Sequence, residues 1–480
     1  MECSLYIRRP DFYWRPRHPD RGRTIIRDRG PSAMLTKIWG AASAIALLVG
    51  AGTAAAAPVK IDMWFGNTGD IAKRVGEQCD RFNASQTDYQ IVCTSQGSYD
   101  ASLQNTIAAF RAGQQPTIAQ VSDVGTLDIM LSGAFYPAEK LMKDNGYTID
   151  WNDYFGGIRS YFATSAGEMY SFPFNSSTAL LYWNKDAYAK IGKTEAPATW
   201  EEAAADFKAL KAAGYSCPLG FNISSNEVWQ YEEQFLAVHG EPNATLNNGY
   251  DGLGAEMVFN RGKWVQFVRD LKSWYDAGAA VIKSKETGQT FVDAFAAGDC
   301  QTILTSVGDH GAIGRTAKEG MNWGVAMLPV YEGTERKNSL VGGASLWVLA
   351  GKSEPEYKAA AAFLNFIAKP EEALTWSTVT GYIPVRQSGF EYLKNQGFYD
   401  KAPYAGREIA IQSLTVTPPT GVTRGNRLGG LLQIRNEIAN GLQAIFIQNA
   451  DVQTALDDAA TRSNAILRRF EQTYEGKQLP

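Results

Sequence analysis

Histidine is nearly missing from this chain: three in 480 residues, and only His239 and His310 lie beyond the first 57. Cysteine is almost as rare, at five, and no two cysteines stand at metal-ligand spacing. A His/Cys metal centre is therefore not expected, and no cofactor is implied. The sequence has no Gly-x-Ser-x-Gly nucleophile elbow, no His-Glu-x-x-His and no P-loop. These absences weigh against an enzyme, although a catalytic carboxylate pair leaves no spacing signature, so a secreted glycan- or phosphodiester-active enzyme stays as an alternative. No sign of charge dominates: 46 basic residues face 50 acidic ones, which is no footprint for nucleic acid. Repeats, heptads and low-complexity stalks are missing too, which argues against a structural or adhesion role.

What is present is a long, apolar, aromatic-rich chain. At 480 residues, 45% apolar and 12% aromatic, it exceeds one ordinary core and predicts about two domains. The first 57 residues read as processing signals. Met34 opens a convincing start, Lys37 supplies the positive end, Ile38 to Val49 is a short apolar run, and Thr53 to Ala57 offers small cleavage residues. That is a secretory signal peptide over 34–57. Residues 1–33, with eight Arg, read as a mis-assigned upstream extension, a twin-arginine-type leader from Arg8–Arg9 being the alternative. Past it no apolar run reaches about 18 residues, as a membrane span requires. Without the leader the net charge falls to about −9, so an anionic ligand needs local positive potential.

Cys79, Cys93, Cys217 and Cys300 remain. In an oxidising compartment an even count predicts disulfides, with three possible pairings. Cys79–Cys93 with Cys217–Cys300 is the favoured one, and buried free thiols the alternative.

Strands and helices alternate from the start. Val59, Ile61 and Met63 predict a strand, and Ile71, Val75, Cys79 and Phe82 recur at helical spacing. Ile91 to Cys93 and Thr117 to Val121 read as strands around a helix marked by Leu103, Ile107 and Phe110. Further helices are predicted over 200–213, 264–277 and from Val452 to Phe470, with strands near Leu304, over 324–329 and over 341–349. This is an α/β pattern with largely parallel sheets. Ligands in such sheets sit beyond the carboxyl ends of strands, which places Trp64, Tyr99 and Asp123 near a crevice.

Several runs then stand out together: Ser171-Phe-Pro-Phe-Asn-Ser-Ser-Thr178, Leu181-Tyr-Trp-Asn-Lys-Asp186, Gly342-Gly-Ala-Ser-Leu-Trp347, Thr380-Gly-Tyr-Ile-Pro384, Arg427-Leu-Gly-Gly430 with Gln433-Ile-Arg435, and Leu467-Arg-Arg-Phe470. Their order and spacing over residues 58–475 resemble the periplasmic glycerol-3-phosphate-binding proteins of ABC importers, within the wider maltose-binding type of receptor. The resemblance implies a periplasmic, two-lobe binding-protein fold whose crossover strands hinge over a ligand cleft. Lobe 1 would be 58–174 and 346–395, lobe 2 178–343 and 396–480. It implies delivery of glycerol 3-phosphate or a glycerophosphodiester to permease subunits in the inner membrane, by a monomer. An oligosaccharide-binding receptor of the same fold is the alternative.

The resemblance also implies site residues. Arg427, in the Gly-rich run Gly425-Asn-Arg-Leu-Gly429, matches the phosphate-binding arginine, since a guanidinium fork suits phosphate oxygens. Ser177, Ser306, the backbone N–H of Gly343 and the hydroxyl of Tyr382 complete that end. Tyr99, Asp123 and Trp229 fall to the glycerol end. Turn or cap serines, an N-cap Asp123, a buried structural Tyr382 and a core Trp229 are the competing structural roles. Two positions depart from the family: Asp123 stands where Glu is usual, and Asn226 stands where a second Trp precedes Trp229 by three residues. A missing indole leaves room for a larger headgroup.

Overall fold

The computed structural model describes residues 57–480. The proposed leader and upstream extension, apart from Ala57, lie outside the described residues. Among the described residues no helix is long and apolar enough to cross a membrane.

Among the described residues eleven strands form two sheets. In the first, β1 (Val59–Phe65), β2 (Tyr89–Ser95), β3 (Ile118–Ser122), β4 (Phe135–Tyr136) and β11 (Gly342–Leu349) run in the order β2-β1-β3-β11-β4, and β5 (Phe172–Ser177) pairs with β11. β1 is parallel to β2 and β3, whereas β11 runs antiparallel to β3, β4 and β5. The second sheet has β6 (Ala179–Asn184), β7 (Cys217–Phe221), β8 (Ala280–Ile282), β9 (Cys300–Ser306) and β10 (Trp323–Ala326) in the order β10-β6-β9-β7-β8. Its β6 pairs are antiparallel and its β7 pairs parallel. The chain passes between sheets at Thr178, between β5 and β6, and returns into β11 at Gly342. This is the two-lobe α/β fold that the sequence implied.

Local chemistry accounts for the layers. β5 and β6 are buried along their whole length, so both read as continuous apolar or small-residue runs rather than alternating ones. The helix Gly69–Ser85 lays Val75, Cys79 and Phe82 on the first sheet, and the Phe82 ring meets Phe363 and Phe366 edge-on at 5.3 and 5.5 Å. Trp347 is wholly buried with Phe135 against it at 4.9 Å, so it is core and not ligand wall. Cys79–Cys93 ties that helix to β2, and Cys217–Cys300 joins facing residues of β7 and β9, the favoured pairing. The strand predicted over 324–329 stops at Ala326. Two long helices, Glu354–Ile367 and Leu431–Phe446, were not read from the sequence.

Candidate functional site

The cleft between the sheets has a volume of about 220 Å³ and is built from strand ends and crossings. Eight of the nine sequence-nominated residues line it: Tyr99, Asp123, Ser177, Asn226, Trp229, Ser306, Gly343 and Tyr382. Asp123 follows β3, Ser177 closes β5, Ser306 closes β9, and Gly343 sits in β11. Trp64 does not reach the lining.

Arg427 is the exception, and the sequence assignment is corrected here. Its side chain lies outside the cleft, in a surface hollow with Arg159, Tyr250 and Arg424. It is 4% exposed, donates to the carbonyl oxygens of Tyr161 at 3.2 Å and Ala163 at 2.9 Å, and sits 4.6 Å from the centre of the Tyr250 ring. The physical reason is the set of partners on each side of the loop: Asn426 donates to Glu233 at 2.8 Å on the cleft side, while the carbonyls of Tyr161 and Ala163 hold the Arg427 guanidinium on the other.

Arg435 is the arginine that lines the cleft. Gly430, with φ of 67°, ends the loop and starts the helix Leu431–Phe446. Leu432 and Arg435, three residues apart, then share the helix face that meets the cleft. Arg435 Nη2 donates to Asp123 Oδ2 at 2.6 Å and to Glu233 Oε2 at 3.1 Å, and Nε donates to Glu233 Oε1. Nη1 has no protein partner among the described hydrogen bonds and is left for a ligand. Burial pushes the Asp123 carboxyl upward against the pull of Arg435, and Glu233 beside it adds to the rise. The signal was in the sequence: Arg435 stood in the Gln433-Ile-Arg435 run, one turn into a helix whose apolar spacing was not followed.

Hydroxyl groups face this guanidinium. Tyr99 Oη accepts from Asn67 Nδ2 at 3.0 Å and Asn175 Nδ2 at 2.9 Å, and meets Tyr382 Oη at 3.3 Å. Of the two phenolic protons only one is used between the rings, so the other is free for a ligand oxygen. Trp376 stacks on Tyr382 with 5.9 Å between ring centres and fixes its plane. Ser306 Oγ accepts from Gly308 N at 3.0 Å and keeps its proton to donate. Gly342 and Gly343 are there for space. A Cβ on Gly342 would stand 3.0 Å from the Trp229 ring, and one on Gly343 only 2.1 Å from Asn175 O. Gly343 also holds φ of 126°, where side chains are strained. Asn226 is exposed and hydrogen-bonds only Glu227, so no ring covers the cleft there. Among the described residues no His, Cys, Asp or Glu cluster fits a metal.

Two lobes with one arginine, spare hydroxyls and an aromatic wall facing the space between them define a receptor that encloses a small polar solute. Comparisons narrow that class. The bacterial extracellular solute-binding protein family matches residues 77–395. The sn-glycerol-3-phosphate-binding periplasmic protein UgpB of Yersinia pestis is 38% identical over 434 residues, covering 89% of this chain and 97% of the relative. Its counterpart in Escherichia coli O6:K15:H31 is 37% identical, covering 90% and 98%. Among solved structures, UgpB from Mycobacterium tuberculosis in complex with glycerophosphocholine superposes with a TM-score of 0.71 at 22% identity, covering 86% and 99%. Maltose-bound MalE3 of T. maritima gives 0.68 at 16%, covering 85% and 99%, which speaks for the fold. The chain belongs to the bacterial extracellular solute-binding protein family. It is a periplasmic binding protein of the ABC-importer type and not an enzyme.

Proposed function

We propose that this protein captures sn-glycerol 3-phosphate or a glycerophosphodiester and delivers it, as a monomer, to ABC permease subunits. The observation that carries the reading is Arg435, with Nη1 unengaged, lining one cleft with the Tyr99, Tyr382, Ser177 and Ser306 hydroxyls. A guanidinium and several donating hydroxyls suit phosphate oxygens, and the flat face of Trp229 suits a glycerol backbone. Asp123 acts by holding Arg435 and so shapes the anion end. The lobes, 58–174 with 346–395 and 178–343 with 396–480, close by hinging at Thr178 and Gly342.

Calorimetry on refolded, ligand-stripped protein tests this. Glycerol 3-phosphate, glycerophosphocholine and maltose are titrated in parallel. Micromolar or tighter binding of either glycerophosphate is expected. Binding of maltose alone would overturn the ligand and leave the receptor fold.

A further inference from the structure

The cleft is acidic for a site that is to hold a phosphate. Asp100, Asp123, Glu227 and Asp309 line it, and Arg435 is the one cation on the lining among the described residues. Asp123 and Glu233 already share that cation. A phosphate monoester dianion would meet unbalanced carboxylates, whereas a diester carrying one negative and one positive charge would not.

Glu227 and Asp309 line the cleft together and border the same outer hollow, and neither makes an ion pair with a cation among the described residues. Glu227 accepts from Asn226 Nδ2 at 3.2 Å and from Gln230 Nε2, and Asp309 accepts from Thr305 Oγ1 at 2.6 Å. Burial, then the facing Asp309, push the Glu227 carboxyl up to about 7, so a positive charge placed here would relieve both groups.

A second observation is independent of these charges. Gln230, only 3% exposed, lines the cleft with its Oε1 unpartnered. Its amide cannot turn over to satisfy that oxygen, because Nε2 is held by the Glu227 carboxylate. An acceptor without a donor therefore stands beside two carboxylates without a cation; a primary ammonium would donate to it directly, and a quaternary one would meet it through its polarised methyl C–H groups. Room is available as well. Glu227 and Asp309 also border an outer hollow of about 1030 Å³, whose further charged residues are Lys285, Glu286 and Asp293. Asn226, where an indole would close the cleft, leaves that side open.

We propose that Glu227, Asp309 and Gln230 form the subsite for the ammonium headgroup of a zwitterionic glycerophosphodiester, with Arg435 holding its phosphate. This deepens the glycerophosphate reading and rests on it.

The test compares glycerophosphocholine with glycerophosphoglycerol, a diester of the same phosphate with a neutral headgroup, and with glycerol 3-phosphate. The wild type should bind glycerophosphocholine at least tenfold more tightly than glycerophosphoglycerol. Glu227→Gln should cut that ratio about tenfold, and Asp309→Asn, read in the same way, decides if the first variant does not fold. A ratio unchanged in the folded variants, or a wild type that prefers the neutral diester or binds only glycerol 3-phosphate, overturns the headgroup subsite and leaves the receptor for glycerol 3-phosphate standing. A wild type that binds none of the three removes the glycerophosphate reading itself, and the subsite with it.

Discussion

Arg435 and Asp123 meet across the cleft with 2.6 Å between Nη2 and Oδ2, the arginine on a helix of the second lobe and the carboxylate at the tip of β3 in the first. Glu233 completes the cluster from the arginine's own lobe. Removing the shared cation leaves two buried carboxylates uncompensated, which costs about 3–5 kcal/mol. Arg435→Ala should therefore lower the denaturation midpoint and weaken glycerophosphate binding about 100-fold or more. Arg427→Ala should lower the midpoint as well, because it strips a donor from buried carbonyls, yet leave Kd within about threefold. Denaturant melts and calorimetry on both variants check this. Equal loss of affinity in the two would restore Arg427 as a ligand.

Gly343 should tolerate no side chain. A Cβ would press to 2.1 Å from Asn175 O at a φ of 126°, so β5 and β11 would have to separate. Gly343→Ala is expected to cost about 3 kcal/mol or more, seen as a lowered thermal midpoint, with Asn175 no longer held against Tyr99. Substitution of the cleft-lining Ser177 by Ala, which adds no atoms, should leave the stability within about 0.5 kcal/mol and change only affinity. A stable Gly343→Ala protein would show that the crossing is looser than drawn.

Acid sensitivity should come from the two histidines. Burial lowers His239 to about 4, and burial with the nearby Arg407 lowers His310 to about 3. His310 Nε2 donates to Pro403 O at 2.6 Å, which leaves Nδ1 to accept from Tyr182. Both rings are neutral in the folded protein and charge near 6.5 when unfolded. Their contribution is therefore whole above pH 6.5 and is lost as pH falls toward 4 and 3, about 2 kcal/mol each by pH 5. Asp128 and Glu227 oppose this. Burial raises Asp128 to about 6, and burial with the facing Asp309 raises Glu227 to about 7, so the folded state takes up their protons first and gains as pH falls. Asp128→Asn should steepen the loss of stability between pH 7 and 5. Ring resonances of either histidine titrating near 6.5 in the folded protein would contradict the assignment.

Asn226→Trp should close the open side of the cleft. A ring there would occupy space beside Glu227, against which Asn226 now hydrogen-bonds. Glycerophosphocholine affinity should drop about tenfold or more, while glycerol 3-phosphate binds as well or better through added apolar contact. Parallel titrations measure it, and an equal change for both ligands would mean that position 226 does not sense headgroup size.

The alternation of strands and helices made an α/β fold legible in the sequence, and the short runs that carry the family resemblance pointed to the two lobes, the crossings and the nine nominated residues, eight of which line the cleft. Asn175 to Ser177 end one buried strand here and Gly342 to Leu349 form the other, so Ser177 and Gly343 are carried to the crossings by their own segments. The choice between two arginines in one motif could not be read that way. Arg427 and Arg435 have the same chemistry, and their roles depend on which way each side chain leaves the backbone. That is set by Asn426 turning inward to Glu233, by the left-handed Gly430, and by the packing of the helix Leu431–Phe446 on the second lobe. The pairing of Glu227 with Asp309 is likewise a matter of distance, not sequence, since they are brought together from separate elements of one lobe. The sequence determined which groups were available to a ligand, and the tertiary structure decided which of them share a cleft, because charge acts through space and not along the chain.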